Sequence, residues 1–285
     1  MDYLSGKKIF VTGSTGFIGS HIENGFSKSL VINNKTKRVD LRNKHDVLKL
    51  RKADIVIHTA GAIPKPFPQE ISHYFENNVL GMLNILEYCV KKDVEKLVYV
   101  STYIYGNPEY CPIDEKHPIN PHTAYTESKY LAERLCKFYN EKYGLKITIL
   151  RPFGIFGRFQ KTGLLIPNLI DALKTNKKVI VTNKNSKRDY LYIDDFVSLV
   201  KKVLQNNYKF EIFNVGTGRS HSFEEVVKII EKISKKKLNI SYDIDKKTFI
   251  PEIRADITKI TNATKWIPMT QLEDGLRSTL QPLSS

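Results

Sequence analysis

Lys8-Ile9-Phe10-Val11-Thr12-Gly13-Ser14-Thr15-Gly16-Phe17-Ile18-Gly19 passes from a short, apolar run into glycines spaced GxxGxxG, and a helical pattern follows. A run this short and this apolar reads as a strand buried on both faces. The glycines have separable uses. One permits the tight turn, one lets the backbone approach a pyrophosphate, and one lets the next helix pack closely on the strand. Free N–H groups and the dipole at that helix N-terminus favour an anion. Gly13, Thr15, Gly16, Phe17, Ile18 and Gly19 are therefore candidate dinucleotide contacts.

The same rhythm continues outward from this loop. Leu30–Ile32, Ile55–Thr59, Leu97–Ser101 and Ile147–Arg151 read as further buried strands, with helical patterns between them at Asn78–Lys92 and Tyr125–Tyr143. Strands alternating with helices predict an α/β fold of the Rossmann type, a doubly wound parallel sheet with helices on both faces. Beyond Arg151 the elements shorten and proline, glycine and polar loops intervene, with helices expected at Ile166–Thr175, Asp194–Gln205 and Phe223–Ser234. The expected organisation is a dinucleotide-binding domain over residues 1–151, to which a segment near 189–216 returns. Residues 152–285 then form mainly a smaller α/β cap that binds substrate.

Composition narrows the class. The 285 residues are 41% hydrophobic and 26% charged, enough apolar content for a sizeable core. The net charge of +15 raises nucleic-acid binding as a possibility, yet the lysines are spread along the chain. The dense stretches Lys174–Arg188 and Lys232–Lys237 also lack interleaved aromatics, so a solvated lysine surface is the favoured reading and no nucleic-acid partner is expected. Three cysteines without CxxC spacing suit a reducing compartment, and no metal is expected. With neither a signal-peptide pattern nor an apolar run of about 18 residues, the expectation is a cytoplasmic protein without a membrane partner.

Tyr125 and Lys129 stand four apart in a helical segment, which places them on one face. A cation beside a phenol favours the phenolate, as a general base requires. Ser101 follows an apolar strand at the edge of the sheet where ligands of open α/β folds bind, so its hydroxyl can meet a substrate oxygen or simply cap the strand. After the second strand, the acid that ordinarily holds the adenosine ribose is replaced by Asn33, with Lys35 close behind. That pair could receive a 2′-phosphate, which leans the cofactor towards NADP over NAD, or could be an ordinary lysine-rich turn.

These segments occur together with His58-Thr59-Ala60-Gly61, Asn77-Asn78-Val79-x-Gly81, Val100-Ser101-Thr102-x-x-Tyr105-Gly106, Arg151-Pro152, Arg188-Asp189-Tyr190-x-x-x-Asp194-Asp195, Asn214-Val215-Gly216-Thr217-Gly218 and Ala255-Asp256-Ile257-Thr258-Lys259. In this order and spacing the chain resembles the NAD-dependent epimerase/dehydratase family of extended short-chain dehydrogenases over nearly its whole length. The resemblance implies a catalytic triad of Ser101, Tyr125 and Lys129. It also implies cofactor contacts from Asp40, Leu41, Thr59, Ala60, Gly61, Asn78, Pro152 and Phe153, in addition to Tyr125 and Lys129. A nucleotide-diphosphate sugar would be the substrate, met by Thr102, Tyr103, Arg188 and Lys246, with Arg188 clamping the diphosphate unless it serves an ion pair with Asp189 or Asp194. Family members commonly form homodimers, and the same is expected here.

The departures from the family pattern are informative. Dehydratases of the family carry Asp-Glu after the catalytic Ser/Thr, whereas Thr102-Tyr103 stands here, so dehydration is set aside. Gly154 replaces the asparagine usual in sugar epimerases, and Lys246 and Phe249 stand near the usual nucleotide-gripping pair. The expected activity is that of a UDP-glucose 4-epimerase-like enzyme acting by transient oxidation at C4. The alternative is an NADPH-dependent 4-keto-sugar nucleotide reductase. A third class, a non-catalytic dinucleotide-binding or RNA-binding relative, fits poorly with an intact Ser101/Tyr125/Lys129 set.

Overall fold

The computed structural model describes residues 4, 6–26, 39–65, 69–244 and 249–281. They form two compact units. The first takes residues up to 106, then 118–152 and 197–213, and the second takes 107–117, 153–196 and residues from 214 onward. The expected strand at Leu30–Ile32 lies outside the described residues.

In the first unit β1 (Ile9–Thr12) leads into α1 (Phe17–Gly25), α2 (Lys44–Leu48) and β2 (Ile55–His58). A longer helical run follows as α3 (Ile71–Tyr74), a π-helical turn (Phe75–Leu80) and α4 (Gly81–Lys91). Next come β3 (Lys96–Val100), α5 (Ala124–Tyr143) and β4 (Lys146–Pro152). The sequence predicts a helix beginning at Asn78; the structure starts it earlier and widens it there, with the amide of Asn78 turned inward.

The strand order is β1-β2-β3-β4-β9, where β9 (Phe210–Val215) comes back from later in the chain. Strands β1 to β4 pair in parallel, with Ile9 beside Ile55, Ile55 beside Lys96 and Lys96 beside Lys146. Parallel strands covered on both faces become near-continuous apolar runs, which is why β1 to β3 show no alternation. Val56, Leu97, Ile147 and Ile149 pack with Met82, Ile85, Leu86 and Cys89 of α4 and with Ala132, Cys136 and Tyr139 of α5. Burying each large aliphatic side chain contributes roughly 1.5–3 kcal/mol, so this cluster dominates the unit's stability.

The second unit is built from shorter pieces: β5 (Ile155–Phe156), α6 (Leu165–Thr175), β6 (Val179–Thr182), β7 (Lys187–Arg188) and β8 (Leu191–Tyr192). Helix α7 (Ile193–Leu204) begins here and continues into the first unit. After β9 follow β10 (His221–Ser222), α8 (Phe223–Ser234), β11 (Ile240–Asp243), β12 (Glu252–Ile253), α9 (Thr258–Thr264) and α10 (Leu272–Leu280). Strands this short cannot organise a core alone. Buried Asp189 ties their loops together, accepting from Thr217 N at 2.7 Å, Thr217 Oγ1 at 2.7 Å, Gly218 N at 3.0 Å and Ala255 N at 3.3 Å. One carboxylate thereby joins three of the motifs singled out in the sequence. Among the described residues, no helix is long and apolar enough to cross a membrane.

Candidate active site

The glycine loop lies at the carboxyl end of β1. Gly13 has φ +72°, a left-handed backbone, and a Cβ there would stand 2.7 Å from Ala60 N. Either fact demands glycine. At Gly19 a Cβ would come within 2.2 Å of Gly13 O, so α1 packs directly on the turn. The N-cap of α1 is Gly16, with no side-chain cap and no acid in the first turn. The first-turn N–H groups therefore meet no carboxylate from the helix itself, a setting that favours an anion. Thr15 and Gly16 are exposed, and Phe17 and Ile18 half-buried.

Thr59, Ala60 and Gly61 are held against this loop. Thr59 Oγ1 donates to Thr12 O at 2.6 Å, and the backbone N–H groups of Thr59 and Ala60 both donate to Thr12 Oγ1 at 3.2 Å. Asn78, buried in the π-helical turn, accepts from Ala62 N at 2.7 Å and donates to Ala62 O at 3.1 Å. The same amide donates to Ser128 Oγ at 2.8 Å, which ties this rim to α5.

Helix α5 starts where its capping box dictates. Thr123 Oγ1 accepts from Thr126 N at 3.1 Å, and Thr126 Oγ1 accepts from Thr123 N at 3.1 Å. This puts Tyr125 in the first turn and Lys129 one turn later. Tyr125 is half-buried, its ring edge-on to Tyr74 at 6.2 Å, with the Thr102 side chain near its phenol. Burial pushes the phenol's pKa up, and the Thr102 contact opposes that rise. The expectation of a phenol lowered by Lys129 is corrected here. The ammonium of Lys129 donates to Val100 O at 2.7 Å and sits 4.4 Å over the Tyr99 ring. Burial brings Lys129 down to about 7, with the nearby Glu133 carboxylate opposing the fall. His58, buried and 2.8 Å from Thr12 Oγ1 through Nδ1, is held neutral by the same burial and by the charge of Lys129.

Ser101 follows β3 directly. It is 4% exposed, and its hydroxyl donates to Glu133 Oε1 at 2.5 Å. Glu133 also receives Arg151 Nε at 3.1 Å on each oxygen and an Arg151 terminal nitrogen at 2.6 Å. The other terminal nitrogen of Arg151 donates to Tyr105 Oη at 2.8 Å. Sequence reasoning passed over Glu133 and Tyr74. The signal for Glu133 was present, since it stands four residues after Lys129 on the same helix face.

The remaining candidates are scattered. Asn33, Lys35 and Lys246 lie outside the described residues. Asp40 is gripped by Arg42, which donates to it at 2.7 and 3.0 Å, and that guanidinium lowers the carboxyl's pKa. Leu41 is half-buried, its carbonyl accepting from Asn84 at 2.7 Å. Tyr103 donates to Gly106 O at 2.7 Å. Pro152 ends β4, and Phe153 N donates to Val215 O at 3.0 Å. In the second unit Arg188 donates to Lys187 O at 2.8 Å and Ile250 O at 3.1 Å, with its guanidinium 5.3 Å from the Phe223 ring centroid.

Known proteins resemble this chain over nearly its whole length. A putative UDP-glucose 4-epimerase of Methanocaldococcus jannaschii is 33% identical over 295 residues, covering 94% of this chain and 96% of the relative. Among solved structures, RMD from Pseudomonas aeruginosa complexed with NADPH superposes with a TM-score of 0.88 at 25% identity, over 96% of this chain and 97% of that one. The UDP-glucose 4-epimerase of Thermus thermophilus, in complex with NAD, gives 0.85 at 28% identity, with the same coverage of both. Relatives also include a dTDP-D-glucose 4,6-dehydratase and a UDP-glucuronic acid decarboxylase. The NAD dependent epimerase/dehydratase family matches residues 9–216, and with the relatives and the site geometry this shows that the chain belongs to that family.

Proposed function

We propose that the protein is a nicotinamide-dinucleotide enzyme that inverts C4 of a nucleoside-diphosphate hexose by transient oxidation, in the manner of a UDP-glucose 4-epimerase. The observation that carries this reading is the half-buried Tyr125 one turn before the buried Lys129, in the unit that also holds the uncapped glycine loop. The first unit serves as the cofactor domain and the second as the substrate domain.

The residues present fit a dinucleotide. The α1 N-terminus offers N–H groups to the pyrophosphate with no acid to repel it, and Thr59 to Gly61 and Asn78 line the adjoining rim. A nicotinamide held there would supply the hydride acceptor for the substrate carbon and the donor for its return. Tyr125 accepts the proton of the sugar hydroxyl as the carbonyl forms and gives it back afterwards. Lys129, buried one helical turn after Tyr125, is the candidate contact for the bound cofactor beside that phenol. Arg188 is the candidate clamp for the diphosphate, a use that suits a planar fork of donors. With Thr102-Tyr103 where an acid–base pair would be needed, elimination of water is the less supported chemistry.

The rival reading is a 4-keto-sugar nucleotide reductase consuming NADPH. It is favoured by the likeness to RMD complexed with NADPH. One experiment separates the two. The purified protein is given UDP-galactose with NAD, and the sugar product is read by NMR. In parallel it is given a 4-keto sugar nucleotide with NADPH. Appearance of UDP-glucose without net cofactor turnover is the expected result. Stoichiometric loss of NADPH, with no interconversion of the two hexoses, would establish the reductase instead.

A further inference from the structure

We propose that His58 is a positioning residue of the dinucleotide site. In its Nε2–H form it takes the proton of the Thr12 hydroxyl on Nδ1, and so turns the lone pairs of that hydroxyl onto the backbone that walls the glycine loop. The inference rests on the reading of that loop as the dinucleotide site.

The parallel register sets Thr12 of β1 beside His58 of β2, and His58 beside Tyr99 of β3. His58 is 1% exposed, its ring 5.7 Å from that of Tyr99, so its hydrogen bonding is decided inside the protein. A hydroxyl offers one proton and two lone pairs. At Thr12 Oγ1 both lone pairs are claimed, because the N–H groups of Thr59 and Ala60 each reach it at 3.2 Å and a backbone N–H can only donate. The third neighbour is His58 Nδ1 at 2.8 Å, and for it the hydroxyl has only its proton left. Nδ1 therefore accepts, which excludes both the imidazolium and the Nδ1–H tautomer and puts the ring proton on Nε2. Burial and the charge of Lys129 also disfavour a second proton on this ring, in keeping with that count. The consequence reaches the glycine loop. Thr59 N–H is shared with Thr12 O at 3.3 Å, whereas Ala60 N–H goes to the hydroxyl. A Cβ on Gly13 would stand 2.7 Å from that same Ala60 nitrogen, so fixing Ala60 fixes the wall on which the loop turns. Were Nδ1 to carry a proton, the hydroxyl would have to release one of the two amides to accept it.

Substitutions can separate the position of the acceptor from the volume of the side chain. An asparagine side chain carries its amide at the place of Nδ1, and a glutamine side chain at the place of Nε2. Affinity for NADH and NADPH is measured by fluorescence titration on the full-length protein, with thermal melts to confirm folding. His58→Leu should weaken binding about tenfold or more, the cost of a buried hydroxyl proton left unpaired. His58→Asn should recover most of that loss and His58→Gln little of it, although glutamine is nearer to histidine in size. Thr12→Val should weaken binding as His58→Leu does, and Thr12→Ser should restore it. In protein whose histidines are isotopically labelled at the ring nitrogens, the His58 NMR signals are identified by their loss in His58→Asn. They should show a bare Nδ1 and a protonated Nε2. A protonated Nδ1 overturns the proposal by itself, even if His58→Leu fails to fold. So does a His58→Leu that binds as the parent does, or a His58→Gln that rescues as well as His58→Asn. A parent that binds neither dinucleotide brings down the functional reading along with the proposal, whereas the other failures leave that reading standing.

Discussion

At the amino end of β3, Lys96 is buried and donates to Leu204 O at 2.8 Å and to Asn206 O, closing the end of α7. At the carboxyl end, Lys129 is equally buried and also donates to a backbone carbonyl, Val100 O. Desolvation brings both ammonium groups down, Lys96 to about 8 and Lys129 to about 7. A lowered lysine therefore does not by itself mark an active site. The surroundings make the difference. Lys96 meets the backbone carbonyls of the last residue of α7 and of Asn206 just past it, where a cation is an ordinary cap. Lys129 lies over an aromatic ring, within the field of Glu133 and one helical turn from a half-open phenol.

The largest expected effect contrasts the two lysines directly. Lys129→Met should cost ~10²–10⁴ in turnover, as should Tyr125→Phe, while Lys96→Met keeps turnover close to that of the parent. Equal losses from both lysine variants in a steady-state assay would erase the comparison. Lys129→Met is also expected to weaken dinucleotide binding, which fluorescence titration would read.

The second effect concerns stability at the carboxyl end. Glu133→Gln leaves the Arg151 guanidinium buried without its anion, a loss of about 3–5 kcal/mol measurable by urea unfolding. Replacing both partners together, Glu133→Leu with Arg151→Met, should recover much of that loss, because neither buried charge then remains. A double variant as unstable as the sum of the singles would show that the pair's geometry, more than its charge, holds the region.

The smallest effect is at the amino end. Lys96→Met should cost about 1–3 kcal/mol through carbonyls left without a donor. A pH dependence should disappear with it. The folded-state pKa of Lys96 is about 8, below the ordinary value of 10.5, so in that window the unfolded chain holds a proton the folded chain has released. Stability from this lysine accordingly rises with pH between about 8 and 10.5, and is at its lowest below about 8. Unfolding curves collected across that window should show the rise in the parent and not in Lys96→Met.

Much of the first unit was legible because its signals are local. The strand–glycine–helix passage, the short apolar runs and the Tyr125/Lys129 spacing all follow from neighbours in sequence. The widening at Phe75–Leu80 was not, because it answers to Asn78 reaching Ala62 and Ser128 across the fold. The Ser101–Glu133–Arg151 cluster was hidden for a related reason. Each residue stands in a recognisable segment, yet only the parallel register of β3 and β4 beneath α5 brings them together. In the second unit, two-residue strands such as β7, β10 and β12 carry almost no periodicity to read.

The chain threads its two units alternately in six segments, and that arrangement bears on how the protein can be made and divided. A fragment ending at residue 152 would contain β1 to β4 but not β9, so the outer edge of β4 would present unpaired backbone groups. Such an edge invites pairing between molecules. During synthesis the same edge waits until residues 210–215 emerge, after most of the first half of the second unit has been made. Expression of a shortened dinucleotide-binding fragment should therefore yield aggregates, and a workable truncation would have to retain the segment 197–213.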